Sequence, residues 1–201
     1  MAGGTCAEKP LRKKGVEMQA IIAMLRGVNV GPHNRLRMEA LRALYGSLEL
    51  RNAQTYVQSG NVVFTANERN LGALAQRIDD AFEKTFGFGA AVFLRTAAEM
   101  RAVIAKNPFA KRKDVQPNKL LVMFLAEALS PEEQKQVEAI KVGPEEIKPY
   151  PREVYIYYPA GMGRSKLAPA MGRVLKKAGT MRNWNSVTEL LEMAEQIQSR
   201  S

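Results

Sequence analysis

The chain has 201 residues, 46% of them apolar and 25% charged, with a formal net charge of +10. That composition belongs to a globular chain of one large or two small domains, and no apolar run nears the roughly 18 residues of a membrane span. One cysteine (Cys6) and one histidine (His33) exclude an internal disulfide and a His/Cys metal site.

Residues 1–17 read as a disordered basic tail with Gly-Gly, a Lys/Arg cluster and no apolar period. The tail contributes +2, so the body itself is basic and attracts anionic partners. No apolar signal region follows it, which makes a cytoplasmic location the expectation.

Ala20–Val28 is an apolar strand-like run. Met38, Leu41, Leu44 and Tyr45 recur at helical spacing, which predicts a helix over 37–48. The Thr/Tyr/Val/Phe-rich segments 53–58 and 61–66 flank Ser59-Gly60 and read as a hairpin. Leu71, Leu74, Ile78, Phe82 and Phe86 mark a longer helix stopped by Gly87. Ala91–Leu94 reads as a short strand. Thr96 and Glu99 form a capping box for a helix that stops before Pro108.

The second half repeats this order. Leu120–Leu125 is a strand, and Ser130, Pro131 and Glu133 carry the chemistry of a helix start. Strands follow at 145–149 and Val154–Tyr158, then a helix over Ser165–Ala178 ended by Gly179. Thr180–Trp184 is strand-like, and Ser186 with Glu189 suggests a capping box for a last helix over 187–198. The fold class predicted is α+β: two ferredoxin-like (βαββαβ) subdomains in tandem, each with an extra helix, over 18–110 and 111–201. Helices are expected to cover one face of each sheet.

Several polar patches fall at predicted element ends, where scaffolds present sites. None contains a carboxylate. Arg26 and Asn29 lie in Arg26-Gly27-Val28-Asn29-Val30-Gly31, Gln58, Ser59 and Asn61 at the hairpin turn, and Asn107-Pro108-Phe109 at a helix stop. Gly161-Met162-Gly163-Arg164-Ser165-Lys166 opens a helix, where free N–H groups favour anions; Ser165 and Lys166 are its candidates. In Arg182-Asn183-Trp184-Asn185, Arg182 is a candidate anion clamp, Asn183 a donor and Trp184 a stacking face. Each patch also has a purely structural reading as turn or cap chemistry.

The only aspartates are Asp79, Asp80 and Asp114, so neither a two-metal carboxylate cluster nor a glycosidase pair is visible. No Ser-His-Asp arrangement has support, and adjacent Ser165 and Lys166 would point about 100° apart on a helix. The expectation is a metal-free, cofactor-free protein that binds an anionic ligand, a nucleotide or nucleic acid. A metal-independent enzyme on a small phosphorylated or carboxylated metabolite and a structural or protein-interaction role are the alternatives.

Together the ordered patches, including Tyr56-Val57-Gln58-Ser59-Gly60-Asn61-Val62-Val63-Phe64 and Thr180-Met181-Arg182-Asn183-Trp184-Asn185, resemble the domain of unknown function 1697 family, found mainly in bacteria. The resemblance spans residues 20–186 and implies an α+β fold with two ferredoxin-like subdomains and no established activity. Pro32 stands where the family usually has glycine, which implies a stiffer loop there.

Overall fold

The computed structural model describes residues 18–30 and 35–200. The predicted tail, His33 and Pro32 lie outside them. The first half contains β1 (Gln19–Leu25), α1 (Met38–Ser47), β2 (Arg51–Tyr56), β3 (Asn61–Ala66), α2 (Leu71–Phe86), β4 (Val92–Thr96) and α3 (Ala97–Ala105). After a 3-10 turn at Pro117–Lys119 come β5 (Leu120–Leu125), α4 (Pro131–Glu138), β6 (Glu146–Pro149), β7 (Glu153–Tyr157), α5 (Leu167–Val174), β8 (Gly179–Asn183) and α6 (Trp184–Gln198). The fold is mixed α+β, with two four-stranded antiparallel sheets in the orders β2-β3-β1-β4 and β6-β7-β5-β8. Each places its first strand between its third and fourth, an order compatible with tandem ferredoxin-like units.

Local chemistry sets most boundaries. Thr96 Oγ1 accepts from Glu99 N while Glu99 accepts from Thr96 N, and Ser130 and Glu133 do the same at α4. Each box satisfies two donors that a helix start leaves free. Asn70 caps α2, and Gly87 ends it at φ 75°, a left-handed conformation that glycine adopts without a Cβ penalty.

The sheets are covered on both faces, which corrects the one-face expectation. Alternate residues of β1 serve different layers. Ile21, Ala23 and Leu25 pack under α1 and α2, with Leu41, Tyr45, Ile78 and Phe82. Ala20, Ile22 and Met24 face a central layer made by α3 and α6. From the other side, β5 contributes Val122 and Phe124 and β7 contributes Tyr155 to that same layer. On their opposite faces Leu125, Val154 and Ile156 belong to the core under α4 and α5. Five layers result, and α6, in the second half of the sequence, lies against β1 and β3 of the first sheet. Burying each such side chain contributes on the order of 1.5–3 kcal/mol, so the central layer couples the two halves. Gln198 closes the arrangement: its Oε1 accepts from Ala20 N (2.6 Å) and its Nε2 donates to the Met18 carbonyl (2.9 Å).

Several boundaries differ from the sequence reading; β1 ends at Leu25 rather than Val28, and β2 lies two residues earlier, at Arg51–Tyr56. β4 runs on through Arg95, because that residue is a buried ladder position. α5 is eight residues long, not fourteen, and Gly179 is the first residue of β8 rather than a helix stop. A Cβ at Gly179 would lie 3.0 Å from the Phe124 carbonyl oxygen and 2.7 Å from Met123 Cε, so close strand contact accounts for the glycine. α6 begins at Trp184 with Asn183 as its cap, which puts Ser186 and Glu189 inside the helix rather than in a capping box.

Candidate functional site

The hairpin and the β8 patch meet in space, and what joins them is Arg182. It is 8% exposed. Its Nε donates to Asn61 Oδ1 (2.5 Å), one terminal nitrogen to Thr180 Oγ1 and the Met181 carbonyl (both 2.8 Å), and the other to the carbonyls of Leu25 (2.8 Å) and Ser59 (3.3 Å). A guanidinium has five N–H donors, so none is left to clamp a ligand. The expected anion clamp is thus an internal one, a staple from the second sheet to the end of β1 and the β2–β3 turn. All its acceptors are neutral, and burial pushes the Arg182 pKa down to about 10.

Asn61 and Asn183 are also spent internally. Asn61 is fully buried, and its Nδ2 donates to Ser59 Oγ (2.7 Å) and the Tyr56 carbonyl (3.4 Å). Asn183 Oδ1 accepts from Asn185 N, and its Nδ2 donates to the Asn118 carbonyl. Trp184 is half-buried against the central layer, which makes it a packing residue rather than an open stacking face.

A second staple runs the other way and was not anticipated from sequence. Arg95 of β4, 2% exposed, donates to Glu153 Oε1 through Nε (3.1 Å) and a terminal nitrogen (3.0 Å). That nitrogen also reaches the carbonyls of Leu125 (3.1 Å) and Arg152 (3.2 Å), while its twin donates to the Leu94 carbonyl (2.9 Å). Each half therefore sends an arginine from its fourth strand to the end of the first strand and the hairpin of the other half. Burial lowers the Arg95 pKa, and Glu153 opposes that shift. The signal was available: Arg95 and Arg182 each stand just before the cap residue, Thr96 or Asn183, of the helix that closes a half.

Asn29, at φ 53°, pins the segment after β1 to the hairpin. Its Nδ2 donates to the carbonyls of Gln58 (2.8 Å) and Leu36 (3.2 Å), and its Oδ1 accepts from Leu36 N (2.6 Å). Asn29 and Gln58 line an open depression of about 530 Å³ with Arg35, Arg37 and Glu39. The Glu39 carboxylate on its wall opposes an anion there.

Ser165 Oγ accepts from Leu167 N (3.0 Å), and Lys166 occupies the α5 cap position without a side-chain cap bond. Among the described residues neither side chain is hydrogen-bonded to the Arg182 cluster.

Arg26 is placed differently. It is exposed, and its guanidinium makes no hydrogen bond or ion pair among the described residues. It stands at a cavity of about 270 Å³ whose walls include Met123 of β5, Met181 of β8, Met171 and Gly172 of α5, and Tyr158. A second cation on the wall, Lys177, is engaged by Glu133 Oε2 (2.7 Å) and the Ala128 carbonyl (2.6 Å). Among the described residues no carboxylate lines this cavity. The sequence pointed to Arg26 but not to the methionines, which in isolation read as ordinary core. Among the described residues no group of three or more His, Cys, Asp or Glu side chains could hold a metal ion, and no helix is long and apolar enough to cross a membrane.

A family model described as "Protein of unknown function (DUF1697)" matches residues 18–155. A conserved bacterial protein, SP0830 from Streptococcus pneumoniae, has a similar structure, with a TM-score of 0.69 and 21% sequence identity over 88% of this chain and 99% of that one. At that identity the likeness speaks to fold. A comparison with curated proteins finds no match.

Proposed function

Because the chain belongs to the DUF1697 family, whose description assigns no activity, we propose a function from the site itself: the protein binds a small organic anion, phosphate- or carboxylate-bearing, in the cavity between Arg26 and α5. The scaffold of this reading is a tandem pair of ferredoxin-like units meeting near residue 110. One observation carries it. The Arg26 guanidinium has no partner among the described residues and stands at the edge of a largely apolar cavity that no described carboxylate lines, with Tyr158 and the Glu133-paired Lys177 also on its wall. Ligand sites combine apolar walls with a few placed polar groups in this way, and a guanidinium grips a carboxylate or phosphate through two parallel hydrogen bonds.

A thermal-shift panel of carboxylates and phosphates tests the proposal on the full chain and on Arg26→Gln. A ligand at 100 times its Kd stabilises by about 2.7 kcal/mol, or roughly 5–10 °C for a chain of this size. The expected result is a saturable shift with the unaltered protein that Arg26→Gln abolishes. Equal shifts in both proteins would overturn it.

A second reading has its own observation. Arg164, Lys166, Arg173, Lys176 and Lys177 lie within one short segment that contains no acidic residue. Such a surface favours a polyanion, a nucleic acid above all, and its affinity would fall steeply with salt. Small-anion binding at Arg26 depends on salt far less, which separates the two.

A further inference from the structure

The formal charge of +10 is not spread over the chain. Residues 18–38, 50–67 and 154–188 contain ten of the 30 lysines and arginines and none of the 20 aspartates and glutamates. The rest of the sequence is therefore neutral, and the whole excess belongs to three segments.

The fold gathers them. Asn29 donates to the Gln58 carbonyl (2.8 Å), which ties the segment after β1 to the β2–β3 hairpin. Arg182 joins Leu25 and Ser59 to β8. Asn183, next in sequence, donates to the Asn118 carbonyl, and Lys119 donates to the Pro159 carbonyl at the start of the loop into α5 (both 2.8 Å). Arg51 stands at the far end of β2, Lys177 is paired with Glu133, and Arg182 is buried. The other cations are exposed: Arg26, Arg35 and Arg37 from the first half, and Arg164, Lys166, Arg173 and Lys176 from the second. None of their side chains makes a hydrogen bond or ion pair among the described residues.

The same segments expose apolar side chains. Among the described residues the exposed large apolar side chains are Val30, Val57, Met162 and Val142, and all but Val142 fall in them. Val57 holds φ 47° at the hairpin turn, a left-handed backbone that strains a β-branched residue and suits asparagine better. Water alone gives that position no reason to keep a valine. Beside it, the exposed Gln58 side-chain amide has no partner among the described residues. An apolar tip, a free amide and flanking cations are what proteins present to a nucleic-acid minor groove: a wedge, a reader of base edges and holders of phosphates. Among the described residues no Phe, Tyr or Trp of these segments is exposed, so the face lacks the stacking platform that single strands use.

We propose that this face binds double-stranded nucleic acid, with the Val57-Gln58 hairpin tip in the minor groove and the cations after β1 and along α5 on the phosphates. This deepens the nucleic-acid reading above and rests on it.

Fluorescence anisotropy with a short labelled duplex, as DNA and as RNA, tests this on the full chain, alongside the single strand of the same length. Co-sedimentation with phosphatidylglycerol vesicles is run in parallel. Duplex is expected to bind more tightly than single strand, with affinity falling on the order of 10³-fold between about 50 and 200 mM salt. Lys166→Gln and Arg173→Gln are each expected to flatten the salt slope by about one, while Lys148→Gln, whose lysine is paired with Glu138, leaves it unchanged. Val57→Asn is expected to weaken duplex binding about 5–10-fold, as for a partly buried valine, while its Tm rises. Binding of duplex DNA, duplex RNA or both supports the proposal and names the source. Duplex affinity unchanged by Val57→Asn, or single strands bound as tightly as duplexes, overturns it. If Lys166→Gln and Arg173→Gln still flatten the slope in that event, the nucleic-acid reading stands. No binding of any oligonucleotide, a slope that neither variant changes, or binding confined to the vesicles overturns both.

Discussion

Replacing Arg182 with alanine should unlock the two halves from each other, and the structure sets the size of the effect. Burial that moves its pKa from the usual 12.5 to about 10 costs the charged form roughly 3 kcal/mol, at about 1.4 kcal/mol per pKa unit. Against this stand hydrogen bonds from a charged donor, each contributing about 1.5–3 kcal/mol. Three of them cross to the first half, at Asn61, Leu25 and Ser59. The balance is a net stabilisation of roughly 2–6 kcal/mol, which brackets the 3–5 kcal/mol expected when one member of a buried charged site is deleted.

Arg182→Ala should therefore lose about 4 kcal/mol and lower Tm by roughly 8–16 °C, at about 2–4 °C per kcal/mol for a chain of this length. Urea unfolding followed by far-UV circular dichroism and by Trp184 emission measures this, because Trp184 packs on the central layer. The midpoint should fall with both probes together. A loss below about 1 kcal/mol with an unchanged denaturant slope would refute the staple, since five hydrogen bonds from one buried guanidinium cannot vanish that cheaply.

Arg95→Ala should cost a similar 3–5 kcal/mol, but for a partly different reason: it strands the Glu153 carboxylate. Adding Glu153→Gln to it should restore about 1 kcal/mol or more; a double variant no more stable than Arg95→Ala in the same urea titration would sink that account. Val57, β-branched and 55% exposed, holds φ 47° in the hairpin turn. Left-handed backbone costs an ordinary residue about 1–2 kcal/mol and asparagine less, so Val57→Asn should raise Tm by a few degrees, and a fall in Tm would contradict the strain argument.

What the sequence made legible was local. The boxes at Thr96/Glu99 and Ser130/Glu133 are complete within four residues, so their helix starts could be read directly. Two-face burial was also visible in principle. Ala20–Leu25 and Leu120–Leu125 are unbroken apolar runs, where a sheet with one wet face would alternate. The length of α5 was not legible, because apolar spacing continues past its end. Leu175 leaves the helix at φ −87°, ψ 106° and still packs in the outer layer, so side-chain periodicity outlasts the backbone hydrogen bonds. At the site, polarity marked where donors gather but not whom they serve. Arg26 and Arg182 look alike in sequence, each beside glycine or asparagine. One is buried with every donor used, and the other is exposed without a partner among the described residues.

The position of the cavity follows from how unequal the two halves are. Matching their strands places Arg26, just past the end of β1, opposite Ala126, just past the end of β5. It also places α2 opposite α5. α2 has 16 residues and α5 has eight, which at 1.5 Å per residue is about 24 Å of cover on one sheet and about 12 Å on the other. The longer helix, with Phe82 tilted against Phe86 and edge-on to Phe88, fills its side of the first sheet with aromatic packing. The shorter one leaves Met123 and Met181 only partly buried, and Gly172 lines the gap. Arg26 then reaches that gap from the other half, on a segment whose preceding residue, Leu25, is held by the Arg182 staple. The staple thus acts on the site at one remove. Arg182 offers the ligand nothing, yet it anchors the strand end from which Arg26 is presented to the cavity.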